Sequence, residues 1–194
     1  MLETVLKWLL ISSVTLVSTT MILFLAQFLA ILDITKDYYD TSIGSILQFS
    51  NAFNFFHIIL TPLLFKSMEK HYLSFIIGSV LMMGIGLMVR TFAEQDYIMA
   101  LVGSILVGIS HIPIISAPYG MLKMFPERHR GYASSIPLFV PGLGINIAIL
   151  YAMFFISSQE TVQAKYTEIT RFSYYITYLG LFSMVTTCLL IYAL

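Results

Sequence analysis

Charged residues are scarce in this sequence, and their scarcity excludes an ordinary water-soluble fold. Only 10% of the 194 residues are Asp, Glu, Lys or Arg, whereas 58% are hydrophobic. Soluble domains carry about 25% charged residues because their surface must face water. The mean hydropathy of +0.88 points the same way. The composition therefore predicts an integral membrane protein with lipid as much of its solvent.

The sequence has only one cysteine, and it lacks a basic tail and common metal-binding and catalytic motifs. The one cysteine, Cys188, lies in the last apolar run, so no internal disulfide can form. The formal net charge is zero without a basic tail, which indicates no nucleic-acid partner. No Cys/His cluster has metal-ligand spacing, and neither His-Glu-x-x-His nor a Gly-x-Ser-Gly paired with a suitable histidine occurs. We expect no metal, no cofactor and no enzymatic activity.

Six apolar runs are long enough to cross a bilayer, which takes about 20 helical residues. The first run is too long for the apolar part of a signal peptide. We therefore predict an all-α membrane protein with a single domain over residues 1–194. The predicted spans are 5–32, 43–65, 73–91, 98–122, 131–157 and 172–194.

The distribution of basic residues predicts the orientation. With the N-terminus inside, six of the ten Lys and Arg residues lie on the inner side, and residues 123–130 supply half of those six. Inner loops of membrane proteins are enriched in Lys and Arg. We predict that both termini lie inside. The low charge favours an organellar membrane such as the mitochondrial inner membrane.

Polar residues in the second span share one helical face. Ser50, Asn54, His57 and Thr61 recur at intervals of four, three and four, and Asn51 lies beside them. At 100° per residue they fall within about 60° of one another. Two interpretations remain open: interhelical hydrogen bonds, worth about 0.6–2 kcal/mol each, or a polar cavity for substrate or protons. An ionisable residue such as His57 is a functional candidate by default.

The first and fourth spans carry polar stripes as well. Ser13, Thr20 and Gln27 recur every seven residues, and Ser104 shares a face with His111. Packing is the favoured interpretation for the hydroxyls, whereas packing and a functional role stay open for His111. The third span has few polar residues, which predicts an outer helix that faces lipid.

The fifth span contains two prolines four residues apart. Pro137 and Pro141 each remove a backbone donor, which frees the carbonyls of Ala133 and Pro137. Such a helix is expected to be kinked or unwound, and a bilayer tolerates this only beside protein or a water-filled cavity. Gly142 and Gly144 would allow close helix approach. The substrate-cavity candidates of the whole chain are Gln27, Asn51, Asn54, His57, His111, Pro137, Pro141 and Asn146.

The connection before the fifth span carries a likeness to a known family. Residues 125–135 (FPERHRGYASS) resemble the cytoplasmic connection between helices four and five of the major facilitator superfamily, where Arg-Gly commonly precedes a glycine-rich fifth helix. Residues 62–70, 78–90, 102–118, 125 and 127–144 more narrowly resemble the feline leukaemia virus subgroup C receptor-related family. The likeness covers about residues 10–157 and only the N-terminal half of such a transporter.

The resemblance implies two inverted three-helix repeats, half of a twelve-helix fold, with helices one and four lining a cavity. Members of that family transport choline, related amines or haem through an aromatic residue and amides in helices one and five. Gln27 occupies the helix-one amide position, but Leu25 replaces the preceding aromatic residue, and Pro141-Gly142 replaces the fifth-helix Asn-Gln pair. A quaternary ammonium needs an aromatic face, so we expect altered substrate chemistry.

Three functions follow as expectations. The favoured one is a transporter-derived subunit that packs within a larger membrane assembly and has no independent transport. The alternative is a half-size facilitator for a small organic solute that works as a dimer, and an apolar ending at Leu194 would also suit a fragment of a longer transporter. The expected partners are the lipid bilayer and either other membrane subunits or a second six-helix half.

Overall fold

A computed structural model describes residues 2–194, apart from the side chains of residues 52, 53, 117, 118 and 119. The described chain is helical, with short connections, as the composition predicted. Single turns of other helix types occupy Leu29–Ile31, Leu122–Met124 and Ala152–Ile156. The α-helices are α1 (Leu2–Ala26), α2 (Leu32–Tyr38), α3 (Ile43–Lys70), α4 (Tyr72–Phe92), α5 (Tyr97–Met121), α6 (Glu127–Phe139), α7 (Gly142–Tyr151) and α8 (Val162–Ala193).

Six helical segments of the described chain are long and apolar enough to cross a membrane. This confirms the predicted all-α membrane protein with six spans. In order from the first span to the sixth, the segments are Leu2–Tyr38, Ile43–Lys70, Tyr72–Phe92, Tyr97–Ser116, Glu127–Ile156 and Val162–Ala193.

The sixth helix begins earlier than its apolar sequence predicted. Residues 158–171 were expected to form a connection, but α8 already starts at Val162. The hydroxyl of Thr161 accepts a hydrogen bond from the Ala164 N–H at 3.2 Å, which caps the first turn. The following residues are polar yet include good helix formers. Hydropathy therefore marked where the helix becomes apolar, not where it begins.

The first span is central to the bundle and packs against the fourth, fifth and sixth spans. The third and fourth spans form the most extensive contact, the fourth also packs on the second, and the third packs on the sixth. The third span is only partly the lipid-facing helix that was expected. One of its faces is exposed, whereas the opposite face is buried against the fourth and sixth spans.

Buried hydroxyl pairs join the sixth span to its neighbours. The Ser13 and Thr187 hydroxyl oxygens lie 2.6 Å apart across the first and sixth spans. Thr91 and Thr177 form an equivalent pair at 2.6 Å between the third and sixth spans. These bonds support the packing interpretation for Ser13, because a hydroxyl in an apolar interior needs a partner.

A substitution of Gly144 is expected to weaken the contact between the fifth and first spans. A Cβ atom there would lie 2.8 Å from the Thr19 carbonyl oxygen and 3.2 Å from the Leu23 nitrogen, and backbone atoms cannot easily move away. Overpacking of this kind costs about 1–3 kcal/mol. Gly144→Ala should therefore lower the melting temperature in detergent by several degrees, as measured by thermal unfolding.

The matched control is Gly142→Ala, because nothing lies within 4 Å of a Cβ atom added at that glycine. It should leave the melting temperature nearly unchanged. If both substitutions lowered it equally, the contact between α7 and α1 would not be the cause.

Candidate functional site

The first span is interrupted where α1 ends at Ala26, before a 3-10 turn leads into α2. A helix end leaves carbonyls without helical partners, and apolar surroundings make this costly. Two side chains from neighbouring spans donate to these carbonyls. The Ser50 hydroxyl donates to the Leu25 oxygen, and Arg90 Nη1 donates to the Phe24 oxygen, each at 3.2 Å. The second and third spans therefore stabilise the interruption.

Arg90 is the most deeply embedded charged residue at this interruption, with 2% of its surface exposed. Its Nη1 also donates to the Ser104 hydroxyl at 3.2 Å. Three phenylalanine rings surround the guanidinium carbon, with centroids at 3.9 Å for Phe24, 4.3 Å for Phe28 and 5.0 Å for Phe49. A desolvated cation over an aromatic face gains about 2 kcal/mol. The rings therefore supply electrostatic stabilisation without a charge of their own.

Arg90 has no ion pair within the described part of the chain. The phenol ring of Tyr39, just after α2, lies 5.8 Å from the Phe28 ring and 5.5 Å from the Phe49 ring. Burial raises the pKa of Tyr39 to about 12, although the nearby Arg90 charge acts in the opposite direction. Tyr39 is therefore neutral at physiological pH and cannot act as a counter-ion. The end of α1 carries partial negative charge, which favours a cation there.

The sequence argument assigned Arg90 to the outer side, as one of the four Lys and Arg residues that do not lie on the inner side, and so missed this role. A signal was available, because residue 90 lies inside the predicted third span. An ionisable residue within an apolar run indicates a buried contact.

Three spans meet at a cluster formed by Ser18, His57 and His111. The Ser18 hydroxyl oxygen lies 3.2 Å from His111 Nε2, and which of the two groups donates depends on the histidine tautomer. The two imidazole centroids are 6.2 Å apart. His111 is buried, whereas His57 is partly exposed. The structure thus brings together both histidine candidates and adds a serine that the sequence did not single out.

Gln27 lies at the interruption of the first span and is almost completely buried. Neither polar atom of its amide has a hydrogen-bond partner in the described chain. An unsatisfied buried polar group costs about 1–3 kcal/mol. The amide of Gln27 is therefore a polar group that makes no hydrogen bond within the described chain.

Asn51 and Asn54 do not share a single cavity. Asn54 lines a cavity of about 240 Å³ with Leu25 of the first span and Ile145 of the fifth. Asn51 lines a separate groove of about 290 Å³ that includes Leu101 of the fourth span. The polar face predicted for the second span is thus divided between two cavities.

The fifth span is broken beside Pro141, as expected from the missing donor of that proline, whereas the helix continues through Pro137. The first segment, α6, contains Pro137 and ends at Phe139, and α7 begins just after Pro141. At the break Pro141 is buried and Pro137 is partly buried, whereas Phe139 between them is exposed, so this chain covers only one side of the break. Asn146 is exposed as well, and its amide donates to a carbonyl of its own helix.

Comparison with known proteins assigns no family, since neither a family model nor a curated protein matches this chain. Among the residues that the structure describes, no three His, Cys, Asp or Glu side chains come together as a metal site requires. The fold and its clusters define a class instead: an all-helical membrane protein whose spans contain an arginine–aromatic cluster and a histidine pair.

Proposed function

We propose that this chain is a transporter-derived membrane subunit that packs within a larger membrane assembly and has no transport activity of its own. The observation that carries the proposal is the exposed polar surface of the second and fifth spans. Asn54 and Asn146 are exposed there, and the fifth span also has its break after Phe139. Lipid does not tolerate polar groups or irregular backbone. In the membrane this surface therefore needs protein beside it.

The contacts between spans support a major facilitator organisation with inverted repeats. The test is to exchange the first span with the fourth, the second with the fifth and the third with the sixth. The contact between the first and sixth spans then becomes the contact between the fourth and third. The contact between the first and fifth spans becomes the contact between the fourth and second. The first–fourth and third–sixth contacts map onto themselves, so the main contacts are preserved. That symmetry is expected of a half-transporter built from two three-helix repeats. It is a fold-level argument and does not assign a substrate.

A second candidate function is a half-size facilitator, or a fragment of one, that transports a small organic solute as a dimer. The histidine cluster favours it, because His57 and His111 place two ionisable groups where three spans meet. The buried amide of Gln27 adds a polar group close to the first-span interruption. Two-fold symmetric dimers are the commonest oligomers.

The orientation and the membrane belong to the same proposal. The indole of Trp8 packs against Phe125 at 4.9 Å and His129 at 6.2 Å between ring centroids. The start of the first span thus lies at the same end as the basic connection of residues 123–130. The Lys/Arg excess of that end favours an inner location. We place both termini inside and suggest an organellar membrane such as the mitochondrial inner membrane.

Gentle solubilisation of the tagged protein tests the subunit proposal. We expect unrelated membrane subunits to co-purify in stoichiometric amounts, as measured by quantitative mass spectrometry. We also expect no uptake of a panel of labelled organic cations and anions into vesicles that contain the purified chain.

The opposite result would favour the transporter. The chain would then purify as a homodimer and mediate uptake that His57→Ala or Gln27→Ala reduces at least tenfold. His71→Ala is the matched control, because His71 lies exposed in the turn between α3 and α4. Uptake that survived both site substitutions would contradict the role given to the polar clusters. An equal loss of uptake in His71→Ala would contradict it as well.

A further inference from the structure

A polar groove of about 710 Å³ lies at the end of the bundle opposite Trp8. It is formed by α2, the turn that follows α4 and the first half of α8. None of the site candidates from the sequence lines it. Its walls combine a carboxylate, a guanidinium, hydroxyls and four tyrosines. This mixture of charges and rings fits a ligand that carries both a cation and an anion.

The two charged groups of the groove both have capacity to bind. Glu94 is exposed and forms no ion pair within the described chain. Arg171 contacts the Glu168 carboxylate, but a guanidinium has five N–H donors, so others are available. The groove can therefore offer a carboxylate to an ammonium group and a guanidinium to a phosphate.

Tyrosine rings of α2 and α8 line the groove. The Tyr38 and Tyr166 rings lie edge to face at 5.2 Å, and the Tyr38 hydroxyl is 3.0 Å from that of Thr170. The Tyr174 and Tyr178 rings are stacked at 6.3 Å. Aromatic faces attract ammonium groups, and tyrosines are enriched where a membrane meets water. The groove therefore has the chemistry of a headgroup site at the membrane surface.

Two exposed apolar stripes continue from the groove along the seam between α4 and α8, which pack together. Each stripe follows helical spacing on one face. The Phe92 ring lies 6.5 Å from the ring of Tyr174, which lines the groove. From residue 178 to residue 189 the helix rises about 16 Å, close to the depth of one leaflet. The exposed stripe residues are Phe92, Met88, Ile85 and Leu81 on α4, and Tyr178, Phe182, Val185 and Leu189 on α8.

We propose that this groove binds the headgroup of a zwitterionic glycerophospholipid with a primary ammonium. The ammonium binds Glu94 and the tyrosine rings, the phosphate binds Arg171, and the acyl chains lie along the two stripes. Continuity between the polar groove and the stripes selects a lipid rather than a free solute. This site is independent of the function proposed above, because it lies outside the surface of the second and fifth spans.

Native mass spectrometry of the detergent-solubilised protein tests the site. With phosphatidylethanolamine and phosphatidylglycerol of equal acyl chains, we expect about threefold greater retention of phosphatidylethanolamine, the size typical of an exposed charge pair. Glu94→Gln should abolish this preference, and Arg171→Gln should weaken retention of both lipids. Tyr178→Leu, which keeps an apolar side chain but removes a ring, should lower phosphatidylethanolamine retention.

The matched controls are Glu160→Gln and Lys165→Gln, which remove charges at the same end of the bundle outside the groove lining. Both should leave the lipid preference unchanged. Equal retention of the two lipids by the unaltered protein would overturn the proposal, as would loss of preference in Glu160→Gln. Displacement of the lipid by millimolar free phosphoethanolamine would overturn the choice of a lipid ligand.

Discussion

Gly103→Val is expected to lower the melting temperature in detergent by about 6–12 °C, because it separates the third and fourth spans. A Cβ atom at Gly103 would lie 2.7 Å from the Gly86 carbonyl oxygen and 2.8 Å from the Arg90 nitrogen. Both are backbone atoms, so relief requires movement of a whole helix. Overpacking costs about 1–3 kcal/mol, and a β-branched side chain belongs at the upper end. For a chain of this size, 1 kcal/mol corresponds to about 2–4 °C.

Close approach at this point is what allows the extensive contact between α4 and α5. Small residues let membrane helices pack through van der Waals contact where no hydrophobic driving force exists. Gly78→Val is the matched control on α4, because nothing lies within 4 Å of a Cβ atom added there. Thermal unfolding of both variants measures the difference. An equal loss in the control would show that valine itself, rather than the contact with Gly86, destabilises the protein.

Arg90→Ala should destabilise the protein by about 3 kcal/mol through the interruption of the first span. The Phe24 carbonyl would lose its donor, at a cost of about 1–3 kcal/mol, and a cavity would open among the three phenylalanine rings, which costs about 2–5 kcal/mol for large side chains. Removal of a buried charge recovers part of its desolvation cost, which offsets part of this loss. Thermal unfolding in detergent should show this loss as a melting temperature lower by about 6–12 °C.

Two further substitutions of Arg90, to Lys and to Met, separate its charge from its volume, and Arg128→Ala is the control. Arg90→Lys keeps the charge but loses the planar fork and the ring stacking, so an intermediate loss is expected. Arg128→Ala removes an exposed arginine and should change stability by less than about 0.5 kcal/mol. If Arg90→Met, which fills similar volume without charge, were as stable as the unaltered protein, the guanidinium and its hydrogen bonds would make no net contribution to stability.

The sequence named some members of the candidate clusters but missed others, and it did not predict their arrangement. His57 and His111 were candidates because an ionisable group in a membrane span is costly and is therefore a functional candidate by default. The two histidines lie near one another in the folded chain. Asn51 and Asn54 share a helical face by spacing, yet they line different cavities. Spacing defines a direction around one helix axis, whereas the neighbouring helices decide what each direction meets.

The sequence by itself determined the helical membrane architecture and the break beside Pro141. Hydropathy over about 20 residues and a missing backbone donor are local properties of the sequence. They have the same effect whichever segments pack nearby. Only the tertiary structure decided that Arg90 stabilises the end of α1 and that Gly103, unlike Gly78, lies against another backbone. Those roles depend on which atoms of distant segments come within a few ångströms. A residue's preference for lipid or water does not contain that information.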